Sequence, residues 1–331
     1  MGGRVVSIRL VSAIAAFSIF TFLAANLQPV HSTRYLQKSD LRLEGVLVYH
    51  RYSTYKAWDA TLWMMRLDTG EMSQINKNWT SMLSPINAHI SVDGESMTFM
   101  GSQVGLPQNE WDVFISHWNG SAWAEPINLT GPNGKRDEDP KFSPDGKRIV
   151  YKEDGVLTIM NADGSGKTYL TSGEAESSIP FFTPDGKGVI FERDRQIMLI
   201  KNGVTTALWN DPMLTSYYPV GIDEERYIFT QVQSKNYDRL MFGYYDGREA
   251  QPLFFNSTSW DTSDGYPYKD ASHYVFYVSG DIADLHGGYN VMVADLKREQ
   301  IASLAVLNPE ANSDLQELGP AWSLKGKFPL N

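Results

Sequence analysis

The chain has 331 residues, of which 42% are hydrophobic and none is cysteine, and its formal net charge is −10. The lack of cysteine excludes a disulfide scaffold, thiol catalysis and cysteine metal sites. An acidic chain lacks the basic face of a general nucleic-acid binder, so we expect no nucleic-acid partner. The length suffices for a large core within one closed β-architecture.

The N-terminus has the pattern of a secretory signal, which we place at residues 1–32. Arg4 and Arg9 precede an apolar run from Val11 to Leu27, and Val30-His31-Ser32 suits cleavage. The run is close to the lower limit for crossing a bilayer, so an uncleaved membrane anchor stays open as the alternative. We expect an exported protein, periplasmic or extracellular, that touches a membrane only through an uncleaved signal. Residues 33–44 are then a linker and 45–331 a single domain.

Residues 140–171, PKFSPDGKRIVYKEDGVLTIMNADGSGKTYLT, predict four short strands joined by tight turns. The sequence Ser143-Pro144-Asp145-Gly146 is a turn, because proline presets φ and glycine accepts a positive φ. Asp163-Gly164 is a hairpin turn between two further apolar runs. One four-stranded meander cannot cover both of its faces, so the unit must recur along the chain.

The unit does recur, with starts aligned at Ala88, Pro140, Pro180, Pro219, Pro267 and Pro320. A period of about 40 to 50 residues with four strands per repeat is typical of propeller blades. The first copy lacks its opening strand, whereas the C-terminus carries a spare one at Ala321 to Ser323. We therefore predict an all-β, six-bladed β-propeller of four-stranded blades, closed by the C-terminal strand completing blade 1. The predicted blades are 45–78 with 318–327, 86–130, 138–171, 178–208, 217–255 and 265–307.

The segments FSPDGKRIVY and VLTIMNADGSGKTYLT resemble the repeats of TolB-type propellers. Similar repeats occur in oligogalacturonate lyases and in the propeller domains of prolyl-oligopeptidase-like peptidases. The resemblance implies the fold and leaves the function open, because this scaffold has many uses. No Gly-x-Ser-x-Gly motif is present, which argues against serine peptidase activity.

We expect a cleft on the face that carries the second-to-third-strand loops and the loops leading into each first strand. These second-to-third loops are predicted long in blades 1, 2, 5 and 6, at 51–58, 102–111, 231–237 and 279–289. The residues before each opening position should ring the channel, and loop aromatics suit sugar rings or a protein partner. Predicted ligand-binding residues are Tyr52, Trp58, Asn87, Trp111, Asp139, Tyr218 and Tyr266.

A metal-assisted reaction would need a histidine cluster with a nearby acid. His50, His89 and His286 come from the adjacent blades 1, 2 and 6 and are the weak candidates for metal ligands and catalysis. Asp264 and Glu317 are the candidate acids. We predict no cofactor, while Ca²⁺ or a transition metal stays open; ordinary solvated carboxylates explain the acidic loops equally well.

The preferred interpretation is an exported TolB-like propeller, a monomer in solution, that binds or scaffolds an envelope protein or glycan rather than acting as an enzyme. The alternative is a carbohydrate-active enzyme, either a metal-assisted polysaccharide lyase or a glycoside hydrolase, that uses the same cleft.

Overall fold

A computed structural model describes residues 34–105, 110–173, 175–234, 237–283 and 288–329. These residues form six antiparallel sheets, one per blade, so the predicted six-bladed propeller is confirmed. Within them, no helix is long and apolar enough to cross a membrane. The predicted signal lies outside the described residues.

The strands are numbered in chain order. The first eight are β1 (Arg34–Tyr35), β2 (Val46–Tyr52), β3 (Thr61–Arg66), β4 (Met72–Gln74), β5 (Met82–Ile90), β6 (Ser96–Gln103), β7 (Asp112–His117) and β8 (Ile127–Asn128). The next eight are β9 (Asp137–Phe142), β10 (Arg148–Glu153), β11 (Val156–Asn161), β12 (Thr168–Tyr169), β13 (Ser177–Phe182), β14 (Gly188–Arg193), β15 (Gln196–Lys201) and β16 (Val204–Trp209).

The last nine are β17 (Thr215–Gly221), β18 (Arg226–Ser234), β19 (Tyr237–Tyr244), β20 (Gln251–Pro252), β21 (Trp260–Pro267), β22 (Tyr274–Asp281), β23 (Asn290–Asp295), β24 (Gln300–Ser303) and β25 (Gln316–Ser323). The described residues also contain 3₁₀ turns at Lys38–Asp40, Leu304–Val306 and Pro309–Ala311. Blades 2 to 6 begin with β5, β9, β13, β17 and β21 as their innermost strands.

Blade 1 is completed by the C-terminal strand, as predicted. Its strand order is β25-β2-β3-β4, and Trp322 of β25 lies opposite Leu47 of β2. Strand β25 also contacts β5 and β21, the innermost strands of the two neighbouring blades. The last strand of the chain therefore closes the ring and removes the sheet edges that two free ends would leave.

The segment 34–44, expected as a linker, contributes a strand to blade 6. Strand β1 pairs in parallel with β24, opposite Gln300 and Ile301. The N–H of Leu36 donates to the Ile301 carbonyl at 2.8 Å, and the Leu36 side chain is buried. This short strand covers the outer edge of that blade.

The first-to-second-strand turns are stabilised by their own side chains. In blade 3 the N–H of Gly146 donates to the Ser143 carbonyl at 2.8 Å, and Gly146 has a φ of +73°. The Asp145 carboxylate accepts from the Ser143 hydroxyl at 2.6 Å and from the Lys147 N–H at 3.1 Å. Ionised acceptors make such bonds strong, and they hold the pKa of Asp145 below its ordinary value.

One predicted loop is wrong. Residues 231–237 were expected to form a long second-to-third loop in blade 5, yet β18 continues to Ser234 and β19 begins at Tyr237. Gln231 pairs with Arg239 and Val232 with Asp238. The two strands extend past the usual end of the hairpin, because cross-strand pairing satisfies backbone groups that a loop would leave to water.

Candidate functional site

Each innermost strand contains one residue with left-handed backbone at the same place in the repeat. These residues are Asn87 (φ 56°), Asp139 (φ 56°), Ile179 (φ 49°), Tyr218 (φ 53°), Asp264 (φ 50°) and Gly319 (φ 61°). The pairing register shifts at each of them, so each is a β-bulge. Bulges redirect side chains and recur beside functional sites, and here the six of them surround the axis of the ring.

The predicted channel ring is correct in five blades and wrong in blade 6. Alignment on Pro267 selected Tyr266, but the bulge residue of that blade is Asp264, followed by Gly265. Four of the other bulges are followed by proline, and blade 6 has glycine there instead. Pro267, the proline used for the alignment, therefore lies two residues after the position that follows the bulge. Tyr266 belongs to the next layer of the channel.

Polar groups of neighbouring blades bond to one another near the axis. The Asn87 amide donates to Asp139 Oδ1 at 2.6 Å, and Lys141 Nζ donates to the Asn87 carbonyl at 3.3 Å. Asp264 Oδ2 accepts from the Gly319 N–H at 3.1 Å. Burial lowers the pKa of Lys141 to about 8, although Asp139 and Asp264 oppose that shift.

Asp139 and Asp264 are both hard to ionise. Burial raises the pKa of Asp264 to about 6, and the Gly319 N–H offsets part of that effect. Burial also raises the pKa of Asp139, while Lys141 acts in the other direction. The charge of Lys141 is shared between these two carboxylates, so this part of the channel favours a further positive charge.

A second acidic group lies on blades 5 and 6, beside Asp264. Tyr217 donates its hydroxyl to Asp238 Oδ2 at 2.7 Å, and Tyr289 donates to Asp261 Oδ2 at 2.5 Å. The Asp238 N–H also donates to Asp261 Oδ1 at 2.7 Å. Burial raises the pKa of Asp238 to about 6, and the nearby carboxylates of Asp261 and Asp264 raise it further.

Blade 1 and blade 2 contribute an aromatic wall. Trp58 stacks on Trp111 with ring centroids 4.4 Å apart, and Tyr55 lies 5.8 Å from Trp111. Tyr52 lies 6.4 Å from Tyr55 and stacks on His50 at 5.6 Å. Trp111 is fully buried and Tyr55 is half-exposed, so Tyr55, which the sequence interpretation left out of its site, presents more surface than Trp111.

We call this region the upper mouth: the acids Asp139, Asp238, Asp261 and Asp264 with the aromatic residues Tyr52, Tyr55 and Trp58. The field of Asp264 reaches Tyr52, where together with burial it raises the pKa to about 12. Burial raises the pKa of Tyr55, Glu138 adds to that effect, and Asp139 contributes least. The aromatic wall and the acids are therefore close enough to act on one ligand.

The candidate histidines are engaged by the backbone. His50 Nδ1 accepts from the Asn87 N–H at 3.3 Å, and His89 Nδ1 accepts from the Phe142 N–H at 3.1 Å. Burial, assisted by Lys141, lowers the pKa of both to about 3, so both are neutral at pH 7. Each ring then carries its proton on Nε2 and lacks a free lone pair there for a metal.

The three-histidine metal hypothesis stays a prediction. His286 lies outside the described residues, and within the described part of the chain no group of three or more His, Asp or Glu side chains could hold a metal ion. A divalent cation bound by other groups stays a prediction.

The remaining candidates, Glu317 and Tyr218, are both buried. Glu317 lies 2.7 Å from Arg51 Nε and accepts from the Ser313 hydroxyl at 2.5 Å. Burial raises the pKa of Glu317 in spite of these partners. Tyr218 packs on Phe181 with ring centroids 6.2 Å apart. Glu317 thus anchors the closing strand to blade 1, and Tyr218 packs within the channel.

The fold matches known propellers. TolB from Acinetobacter baumannii superposes with a TM-score of 0.64 and 15% identity, over 84% of this chain and 66% of that chain. This chain has the TolB-type propeller fold. Putative TolB from Agrobacterium tumefaciens gives a TM-score of 0.56 and 14% identity, over 80% of this chain and 89% of that one.

The TolB-type fold is shared more widely. Kuenenia stuttgartiensis hydrazine synthase gives a TM-score of 0.65 at 9% identity, over 88% of this chain but only 48% of that one. The chain therefore spans just under two thirds of A. baumannii TolB and about half of the synthase. No protein-family model matches the chain, and no curated protein matches it. Identities this low carry the fold alone.

Of the residues in the upper mouth, sequence reasoning had named Asp139, Asp264, Tyr52 and Trp58 as candidates. It missed Asp238 and Asp261 as site residues. Asp238 was noticed only as a residue before a third strand, where a short polar side chain can hold a turn. A signal was present, since Asp238, Asp261 and Asp264 cluster on two adjacent blades, but the extended β18–β19 hairpin that brings Asp238 to the mouth was taken for a loop.

Proposed function

We propose that this TolB-type propeller is an exported, non-catalytic binding module that captures a cationic segment of an envelope protein at its upper mouth. The observation that carries the proposal is the arrangement of Asp238, Asp261 and Asp264. Their hydrogen-bond donors are neutral hydroxyl and N–H groups. A lysine, an arginine or an amino terminus would supply the positive charge that these carboxylates favour.

The aromatic wall supports a peptide ligand. Tyr55 and Trp58 stand on blade 1, which is next in the ring to blade 6 and its acids. Aromatic anchors next to charged pairs are the usual composition of an energetic centre in protein interfaces. A cationic side chain could also stack on these rings.

An exported location supports the same proposal. The basic residues Arg4 and Arg9 followed by an apolar run have the pattern of a secretory signal. A propeller that carries such a signal would meet its partner in the envelope, most simply the bacterial periplasm, and would serve there as a scaffold or receptor.

The test is chemical crosslinking and affinity capture from native envelope, followed by a measured Kd for the purified partner. We expect the double variant Asp238→Asn/Asp264→Asn to weaken that Kd by about tenfold or more, since truncating buried charge pairs costs several kcal/mol. Asp246→Asn, on an exposed outer turn of the same blade, is the matched control and should leave the Kd unchanged.

Two outcomes would contradict the proposal. Binding to an envelope glycan with no protein partner would assign the mouth to carbohydrate. Cleavage of a uronic-acid polysaccharide to products that absorb as unsaturated sugars would make the chain a lyase.

A further inference from the structure

A cavity of about 460 Å³ opens on the lower face of the ring, where the first-to-second-strand turns lie. All six blades line it, through residues that include Trp322, His89, Phe142, Phe181, Val220 and Tyr266. The acids of the upper mouth do not line it. A concave, largely apolar site of this size with a few polar groups is the usual form of a small-molecule pocket.

The floor of this lower cavity is aromatic. The rings of His89, Phe181 and Tyr266 come from blades 2, 4 and 6, and their centroids are 6.1 to 6.4 Å apart. Lys141 Nζ lies 5.1 Å from the centre of the Phe181 ring but does not line the cavity. The floor thus separates the lower cavity from the polar groups at Asp139 and Asp264.

His89 brings a polar group into this floor. His89 Nδ1 accepts from the Phe142 N–H, so the remaining ring proton is on Nε2. A neutral histidine in that tautomer can donate one hydrogen bond to a ligand without bringing a charge into the apolar cavity.

The rim combines exposed apolar side chains with lysines. Val92 and Leu324 are 56% and 52% exposed, which leaves apolar surface free at the opening. The charged residues that line the cavity are Lys269 and Lys325. Lys269 lies 3.6 Å from Glu44, and both side chains are half-exposed, so that contact is weak and screened by water. Lys325 is the smallest of the causes that lower the pKa of Asp93, so its interaction with that carboxylate is weak.

We propose that the lower cavity is a second binding site, which takes a small organic anion with an aromatic or aliphatic body. The apolar body fills the space between Phe142, Phe181 and Trp322. The anionic group stays at the opening, beside Lys269 and Lys325, where it remains partly hydrated. A carboxylate or sulfonate on a body of one to three rings has this combination of shape and charge.

The probe for this site is 1-anilinonaphthalene-8-sulfonate, an aromatic anion that becomes fluorescent in apolar surroundings. We expect one molecule to bind per chain. Leu324→Glu and Val92→Glu place a negative charge at the opening and should each weaken the probe's Kd by about tenfold. Both positions are exposed, so folding should survive. Val204→Glu, at a position 60% exposed on β16, is the control and should bind the probe as the native chain does.

A second comparison tests the charge. Lys269→Met/Lys325→Met should weaken binding of the sulfonate but leave the Kd of the uncharged N-phenyl-1-naphthylamine unchanged. Location is checked by NMR: the Trp322 indole N–H, which donates to the Glu44 carbonyl at 2.9 Å, should shift on binding, with Trp322→Phe assigning its signal.

Three results would overturn this inference: equal binding of the charged and uncharged probes by the native chain, unchanged binding by Leu324→Glu, or no shift of the Trp322 signal. Asp238→Asn/Asp264→Asn should bind the sulfonate normally, so failure of the upper-mouth proposal can be told apart from failure of this one.

Discussion

Gly319 is the bulge residue of the closing strand, and two independent constraints act on it. Its φ is +61°, and a Cβ there would lie 2.8 Å from His50 Cε1 and 2.9 Å from Asn87 Oδ1. We expect Gly319→Ala to lower the free energy of unfolding by about 3 kcal/mol or more, through backbone strain and overpacking together. Chemical denaturation of the purified variant measures this.

Gly203 provides the matched control. It has a φ of +75°, but a Cβ there would meet nothing within 4 Å. Gly203→Ala should therefore lower the free energy of unfolding only through backbone strain, by about 1 kcal/mol. If both variants lose the same amount, contact with His50 and Asn87 does not constrain Gly319.

Asp264 gives the channel a pH dependence of definite sign. In the folded chain the pKa of Asp264 is about 6, above its ordinary value of 3.8. Between about pH 4 and about pH 6 the folded state holds a proton that the unfolded state has lost. The free energy of unfolding therefore falls as the pH rises through that range. Asp264→Asn has no carboxyl group here and does not show this fall. As the pH rises from about 4 to about 6, the free energy of unfolding of the variant should therefore increase relative to that of the native chain, by on the order of 1–2 kcal/mol.

Asp145→Asn should show the opposite trend. Hydrogen bonds from Ser143 and Lys147 lower the pKa of Asp145, so its contribution is present at neutral pH and is lost as the pH falls. The free energy of unfolding of Asp145→Asn should thus fall furthest below that of the native chain near pH 6, and the difference should shrink in acid. Parallel stability curves for the two variants across pH 3 to 7 would refute both assignments.

Single-residue features were predictable only where they followed from the repeat. Asn87, Asp139 and Tyr218 were found because each stands one residue before an aligned position. In blade 6, Gly265 replaces the usual proline, and the alignment moved to Tyr266. The backbone N–H groups that engage His50 and His89 come from other blades, so no local pattern in the sequence could show them.

At the level of elements, the closing strand should be indispensable and β1 dispensable. Deleting 316–331 removes β25 and exposes the edge of β2 along with the core beneath it. We expect that truncated chain to aggregate or to melt without cooperativity.

A chain that begins at Leu36 loses residues 1–35, of which only β1 lies within the described part, and is the control. It should stay soluble and melt cooperatively, because two residues on an outer edge leave the ring closed. Light scattering and thermal melts of both truncations make the comparison. A cooperative melt of the chain that lacks β25 would show that closure contributes little.

The strands themselves were largely readable from the sequence. The turn chemistry of Ser143-Pro144-Asp145-Gly146 marks the first-to-second hairpin, and its copies gave the blade count and the closure. Strand β1 was not readable, because two residues pairing in parallel with β24 leave no periodic signal. The extended hairpin of blade 5 was missed because its polar residues imitate a loop.

At the level of the whole molecule, charge should control how fast a partner arrives. With a net charge of −10 and an acidic mouth, the chain attracts a cationic partner from a distance. The association rate should fall by about tenfold between low and physiological salt, while the dissociation rate changes little. Stopped-flow or surface-binding kinetics at several salt concentrations measure both rates; a rate independent of salt would contradict the assignment of a cationic partner.

The metal content of the purified protein provides a separate test. Because both imidazoles keep Nδ1 bonded to the backbone, we expect no stoichiometric transition metal by elemental analysis. His50→Ala should then leave metal content unchanged. One bound metal ion per chain, lost in His50→Ala, would restore the lyase hypothesis.

Strand β25 follows every other described strand in the sequence, and this position sets the order of assembly. Synthesis and any threading across a membrane proceed from the N-terminus, so five blades and most of the first are available before residues 316–323 emerge. Until then blade 1 has no inner strand, and β5 and β21 lack the contacts that β25 makes with each of them. Synthesis of residues 316–323 is therefore the step that permits a stable ring, and any factor that shields β2 during that wait would act as its chaperone.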